Sequence, residues 1–440
     1  MTRVVFCTIS LFAGTFSVFG QVPEPTPTPV KLVVTDNTPK AAATRPRVTP
    51  TPIIVGSSGG PSMVPQSATQ PTTPPVTQTA AESRTFTPTT PALVPLPNLN
   101  YKTLPFRDIK NKIAEARRQM QTRPLTIASV NTPMSGESVR IAFHDWDTGR
   151  VDYAVVTKES FLSVADEKLV SSEAGKQLRI RTIRGNGVNT PLVLLDSNGE
   201  AHLPLLVQYP VVRNGVYNET AYYMSTHPGI VNPEVVNAGR LYVRNVIEIA
   251  RIKLQEKGIT VSPKIADIAE RLSTVEHVDH LRFRTEPHSK IFDDIFTLYA
   301  LNEGQTYRYS VSSAGAGGMV QMIPSTYRMV RSWHPNITLT PDFVEGMRNH
   351  TNAAQAMLLY MNRTWADLIA SPTVMDAYMN GTATQEQLMA TGYNSNPAKI
   401  AGYIKRGGEN WTSLIPRETK IYLQIYDSIE RFVPMQARTK

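Results

Sequence analysis

A single cysteine, Cys7, is all the thiol chemistry this 440-residue chain contains. It lies inside an apolar N-terminal run, so the rest of the chain can form no disulfide, use no cysteine nucleophile and hold no metal through thiolates. Long hydrophobic runs are equally scarce. The one at residues 4–19 is short for a bilayer span and is interrupted by Thr8, Ser10 and Ser17. With Arg3 before it and Val18-Phe19-Gly20 just ahead of Gln21, it reads as a secretory signal over residues 1–20. Cys7 does not stand where a lipoprotein-type anchor would need it, so no stable membrane insertion is expected after signal removal. Acidic residues are outnumbered, 36 against 45 basic, for a net charge of +9. That surplus suits polyanions or an anionic wall. No dense basic run interleaved with aromatics is present, which together with secretion argues against nucleic acid as a partner.

What the chain does have is uneven. About half of its 34 prolines fall within residues 21–98, mixed with Thr, Ser and Gln, as in Pro23-Glu24-Pro25-Thr26-Pro27. Proline removes backbone donors and favours extended conformations, and so few large apolar side chains cannot offset the entropy of ordering. A disordered, semi-stiff tether is expected there. Residues 99–230 then read as a small β-rich domain of unknown role, introduced by a basic helix over 106–120 with Ile109, Ile113 and Ala116 on one face. Val139-Arg140-Ile141-Ala142-Phe143 alternates, Asp147-Thr148-Gly149 marks a turn, and residues 151–157 can return as the second strand of a hairpin. Further strands are expected at 178–183, 191–195 and 203–212. Residues 231–435 read as helical. Val235, Leu241, Val246, Ile249, Ile252 and Leu254 line one helix that stops near Gly258, and Ser262-Pro263 starts the next, with Ile265, Ile268, Ala269 and Leu272 inward.

The chemistry is concentrated around Glu303. Ile291, Ile295 and Leu298 recur at helical spacing over residues 290–302, with Phe292 and Phe296 on an adjacent face, which puts Glu303 at the C-terminal end of a buried helix. A carboxyl group there is raised in pKa by the helix dipole and by any apolar surroundings, as a general acid requires. An isolated Glu at a helix end is more often a solvated surface charge; its spacing to the glycine run at 315–318 and to Gln321 reverses that expectation. The run Gly315-Ala316-Gly317-Gly318 lacks the Lys-Ser/Thr ending of a phosphate loop and suits close approach of a ligand to main chain. Gln321 offers an acceptor and donors to sugar substituents. His277 and His280, three apart, lack a metalloprotease spacing and an evident third ligand, so structural histidines are favoured and no metal or other cofactor is expected. Trp333, Trp365 and Trp411 can line sugar subsites or fill core.

The stretch ALNEGQTYRYSVSSAGAGGMVQMIPSTY resembles the catalytic segment of the soluble lytic transglycosylase and goose-type lysozyme family, which cuts the glycan strands of peptidoglycan. Two further segments match in order: Gly392-Tyr393-Asn394-Ser395-Asn396-Pro397 is similar to the family's Ala-Tyr-Asn-Ala-Gly-Pro, and Ile415-Pro416-Arg417-Glu418-Thr419-Lys420-Ile421-Tyr422 to its Leu-Pro-x-Glu-Thr-x-x-Tyr. The resemblance covers roughly residues 285–430. It implies an α+β multidomain chain in which an α-helical lysozyme-like catalytic domain follows the β-rich domain and the Pro/Thr-rich segment. It also implies Glu303 as catalytic acid and Ser312, Gly318, Met319, Gln321, Tyr393, Asn394 and Glu418 as substrate-binding residues. The expected protein is periplasmic or secreted, with peptidoglycan glycan strands as its partner. The chain departs from the pattern at Gly304, where the family has Ser, at Gly392 and at Asn396, whose side chain tolerates a left-handed turn. No second carboxylate stands at a motif position near Glu303, and the resemblance implies a reaction that uses one Glu as acid and then base, closing a 1,6-anhydro ring on the muramyl sugar. The alternatives are hydrolysis in the same cleft and a catalytically silent wall-binding module.

Overall fold

The computed structural model describes residues 101–123, 138–165, 167–213 and 216–439. The segments expected to be a signal and a Pro/Thr-rich tether lie outside the described residues. The first helix, α1 (Phe106–Thr122), buries Ile109, Ile113, Ala116 and Met120, a stripe at helical spacing. Seven strands follow: β1 (Ser138–His144), β2 (Val151–Thr157), β3 (Lys168–Ser171), β4 (Gln177–Thr182), β5 (Leu192–Asp196), β6 (Ala201–Arg213) and β7 (Val216–Tyr223), with the short α2 (Lys158–Leu162) after β2.

The strands form one antiparallel sheet in the order β2-β1-β6-β5-β4-β3, with β7 added to β6. The β1–β2 hairpin pairs Ala142 with Tyr153 and turns at Gly149, whose φ of 70° suits glycine. The 13-residue β6 is the spine: it pairs with β5 at Ala201 and His202, with β1 from Leu203 to Gln208, and with β7 beyond Val207. Ala142 faces Leu206 while Phe143 faces Pro204, a bulge that accommodates a proline unable to donate to the ladder. Just past β3, the Glu173 N–H reaches the Tyr153 carbonyl of β2 at 2.7 Å, so the two ends of the strand order meet and the sheet is nearly closed into a barrel.

Helices then run to the end of the chain: α3 (Pro233–Gln255), α4 (Pro263–Val275), α5 (His280–Thr285), α6 (His288–Asn302), α7 (Pro324–Trp333), α8 (Phe343–Arg348), α9 (His350–Ile369), α10 (Pro372–Met379), α11 (Gln385–Asn394), α12 (Ile400–Gly407) and α13 (Arg417–Phe432). Among the described residues no helix is long and apolar enough to cross a membrane. Asn232 and Ser262 cap α3 and α4 through side-chain oxygens, and Thr384 with Gln387 forms a complete capping box on α11.

This architecture corrects the expected fold class. The chain is a nearly closed antiparallel sheet over 138–223 followed by a helical region, not a small β-domain plus a lysozyme-like α-domain. The alternation read from the sequence suggests strands with one wet face, but β5 is buried along its whole length and β1 at all but its first residue. These two strands are covered on both faces, whereas β3 and β4 keep an alternating pattern, and one buried cluster runs from Ile141, Leu194 and Tyr223 of the sheet to Val236, Ile268, Phe296 and Ile425 of the helices. The inward face of α3 also differs from expectation. Leu241, Ile249 and Ile252 are exposed, and the buried stripe is Val235, Val236, Gly239, Val243, Val246, Ile247, Ala250 and Leu254. Gly239 sets that rotation: a Cβ there would lie 1.9 Å from the Phe296 carbonyl oxygen, so only glycine lets α3 approach α6 this closely.

Candidate active site

The glycine run forms a compact turn tied to itself. Ser312 accepts from the Ala316 N–H through Oγ at 3.0 Å and donates its own N–H to the Ala316 carbonyl at 2.9 Å. Gly315 and Gly318 take φ of 75° and 68°, and a Cβ on Gly318 would meet the Met347 carbonyl oxygen at 2.4 Å. Gln321 has φ of 45°, an uncommon value for a residue with a side chain. Its Nε2 donates to the Ser310 hydroxyl at 3.0 Å and to the Gly318 carbonyl at 2.9 Å, which leaves Oε1 as the group it can turn to a ligand. Met319 is fully buried and Gly318 does not reach the cleft wall, so these two shape the turn from behind.

Beside this turn lies an open cleft lined by Glu276, Ser312, Ala316, Gln321, Met322, Ile323, Thr326, Tyr360, Tyr393 and Asn394. The cleft gathers Ser312, Gln321, Tyr393 and Asn394, four of the residues expected from the sequence. Tyr393 and Asn394 arrive at the C-terminal end of α11, and the Tyr393 hydroxyl donates to the Val320 carbonyl at 2.6 Å, binding α11 to the turn. Asn396 is not left-handed as the sequence suggested; its φ is −79°, and its side chain caps the next turn by accepting from the Ala398 N–H.

Glu303 does not line the cleft. Asn302, the last residue of α6, clamps the main chain of Met224 just beyond β7, accepting from its N–H at 2.9 Å and donating to its carbonyl at 2.8 Å. Ala300 and Leu301 pack with α1 and the sheet. The end of α6 is thereby docked on the sheet, and Glu303, with φ of 44°, emerges toward α1, where it pairs with Lys110 and keeps half its side chain exposed.

The carboxyl group in the cleft belongs to Glu276, which stands at the C-terminal end of α4. Burial pushes it up to about 8, with the neighbouring Glu418 adding to the rise; the Tyr422 hydroxyl, donating to its Oε1 at 2.6 Å, opposes both. Glu418 is itself raised by burial. It acts on Glu276 through its charge but does not line the cleft. The next residue, His277, secures the placement: its Nε2 bonds the Met319 carbonyl at 3.0 Å, and its ring stacks on Tyr307 with centroids 3.4 Å apart. Burial drives His277 down to about 3, so it is a neutral donor to that carbonyl at ordinary pH. With one ring nitrogen committed in this way, His277 is structural.

Glu276 was missed in the sequence because the stretch Val275-Glu276-His277-Val278-Asp279-His280 drew attention as a metal candidate. The signal was nevertheless there, a glutamate closing an apolar helix. Tyr360 and the role of Tyr422 carried no readable signal. Among the described residues, one group of three could ligate a metal: Asp145, Asp147 and His202, in the sheet. Lys176 already lies against both carboxylates, 2.8 Å from Asp145, and supplies the positive charge an ion would bring. Comparison with family models, with curated proteins and with solved structures finds no match to this chain.

Proposed function

We propose that the chain is a peptidoglycan lytic transglycosylase whose general acid is Glu276. The observation that carries this reading is a carboxyl group held protonated near neutral pH in a cleft whose other polar groups, Gln321 Oε1, Ser312 and Asn394, suit hydroxyl and N-acetyl substituents. The resemblance of the turn and of the α11 and α13 segments to lytic transglycosylases supports the substrate class. In this scheme the Glu276 proton passes to the glycosidic oxygen between N-acetylmuramic acid and N-acetylglucosamine as the C1–O bond breaks. The resulting carboxylate then takes the proton of the muramyl C6 hydroxyl, whose oxygen closes on C1. The acid is regenerated and no water is consumed. Such an enzyme would work on wall glycan outside the cytoplasm.

Mass spectrometry of sacculi digested with the protein tests the proposal. Products lighter by one water than hydrolytic muropeptides are expected from the wild type, with a loss of at least about a hundredfold in Glu276→Gln. Glu303→Gln should stay within about twofold, because an exposed ion pair contributes little. Full activity in Glu276→Gln would refute the assignment. The closeness of Glu418 to Glu276 favours a second reading, hydrolysis with two carboxyl groups, and products of unreduced mass would select it.

A further inference from the structure

Building on the glycan reading of the cleft, we infer that Trp333 forms a distal saccharide subsite, a platform for the sugar ring one disaccharide beyond the cleaved bond. Three observations converge on it. Helix α7 begins at the cleft, where Ile323 and Thr326 form part of the wall. Trp333 follows Thr326 by seven residues, two helical turns, so it lies on nearly the same face about 10 Å along the axis. That distance is close to the length of a disaccharide in a β-1,4 glycan.

The second observation is a chain of aromatic ring contacts. The Trp333 ring is parallel to that of Tyr360, with centroids 6.5 Å apart and 3° between planes. Tyr360 in turn lines the cleft and meets Tyr393 edge-on at 5.9 Å. Ring contacts therefore run from the cleft wall through the buried Tyr360 to the indole.

The third is exposure. Trp411 is buried, whereas Trp333 keeps 37% of its surface open. Its ring neighbours, Tyr360 and Arg363, whose guanidinium lies 5.8 Å from the indole centroid, are three residues apart on α9. They cover the side of the indole turned to α9. A pyranose presents an apolar face of C–H groups, which an open indole matches, while Arg363 beside it is paired with Asp367 at 3.0 Å.

Calorimetric binding of N-acetylglucosamine–N-acetylmuramic acid disaccharide and tetrasaccharide to the Glu276→Gln protein, which cannot turn them over, provides the test. The tetrasaccharide should bind at least about tenfold more tightly than the disaccharide. Adding Trp333→Ala should remove that advantage and leave disaccharide affinity unchanged, and Trp333→Phe should restore part of it. Loss of affinity equally for both sugars, or for neither, would overturn the subsite. Failure of both sugars to bind the Glu276→Gln parent would instead overturn the glycan reading on which the subsite rests.

Discussion

The raised carboxyl of Glu276 has a thermodynamic consequence that can be measured without any substrate. Its folded value of about 8 stands above the ordinary 4.5. Between those limits the native state holds a proton that the unfolded chain has released, so stability falls as pH rises through this window. The contribution is fully present below 4.5 and is lost once pH exceeds about 8. A displacement of this size corresponds to roughly 4 to 5 kcal/mol at full effect. Glu276→Gln keeps the shape and an acceptor for the Tyr422 hydroxyl but cannot ionise. Buried histidines titrate in the opposite sense, with His277 and His227 held down to about 3 and His350 to about 4 by burial. Their effect is common to both proteins and cancels in the difference. Urea unfolding of wild type and variant at intervals from pH 4.5 to 9 is therefore the assay. The variant should gain on the wild type steadily above pH 5 and lead it by several kcal/mol at pH 9. A difference that stays flat across the range would mean that Glu276 ionises like a surface carboxylate, and the proposed acid would lose its physical basis.

Two further expectations concern the same cleft. The Tyr422 hydroxyl donates to Glu276 and favours its ionised form, so Tyr422→Phe should raise the carboxyl pKa further and move the alkaline limb of kcat/KM upward by about one pH unit; an unchanged or lowered limb would show that this contact does not tune the acid. Gly318→Ala should destabilise the fold by roughly 2 to 4 kcal/mol, because a left-handed backbone and a clash with the Met347 carbonyl act together. Chemical denaturation measures it, and a neutral variant would refute the close approach.

Elements whose determinants are local were readable before the structure. The stripe of α1, the β1–β2 hairpin with its glycine turn, and the Thr384–Gln387 capping box each depend on residues a few positions apart. Closure of the sheet was not readable, because it rests on Glu173 meeting Tyr153 and on a 13-residue β6 shared among three partners. The inward face of α3 was misjudged for a related reason. Leu241, Ile249 and Ile252 have the right period for a core stripe, yet Gly239 decides which face meets α6, and a glycine contributes nothing to a hydrophobic pattern. In the cleft, the motif residues Ser312, Gln321, Tyr393 and Asn394 were legible, since each acts through the turn or helix end that carries it.

Two glutamates obey the same local rule. Glu276 and Glu303 each follow the last residue of an apolar helix, where both the helix dipole and burial would favour a protonated carboxyl. Burial is not a property of the helix end, however, but of what the end is packed against. Asn302 commits α6 to the main chain of Met224, and Lys110 of α1 then meets Glu303 with a full positive charge in solvent. His277 commits α4 to the carbonyl of Met319, inside the motif itself, and Glu276 is carried into the cleft with the Tyr422 hydroxyl as its donor. Burial in the cleft holds the Glu276 carboxyl protonated. The residue that precedes or follows each glutamate thus decides which of them reaches the cleft. Replacing His277 with Phe tests this directly: the stack on Tyr307 can persist, but the bond to Met319 cannot. The α4 end should then be released from the turn, and the stability difference between wild type and Glu276→Gln at pH 9 should shrink when both carry the change. If that difference is undiminished, the placement of Glu276 does not depend on its neighbour.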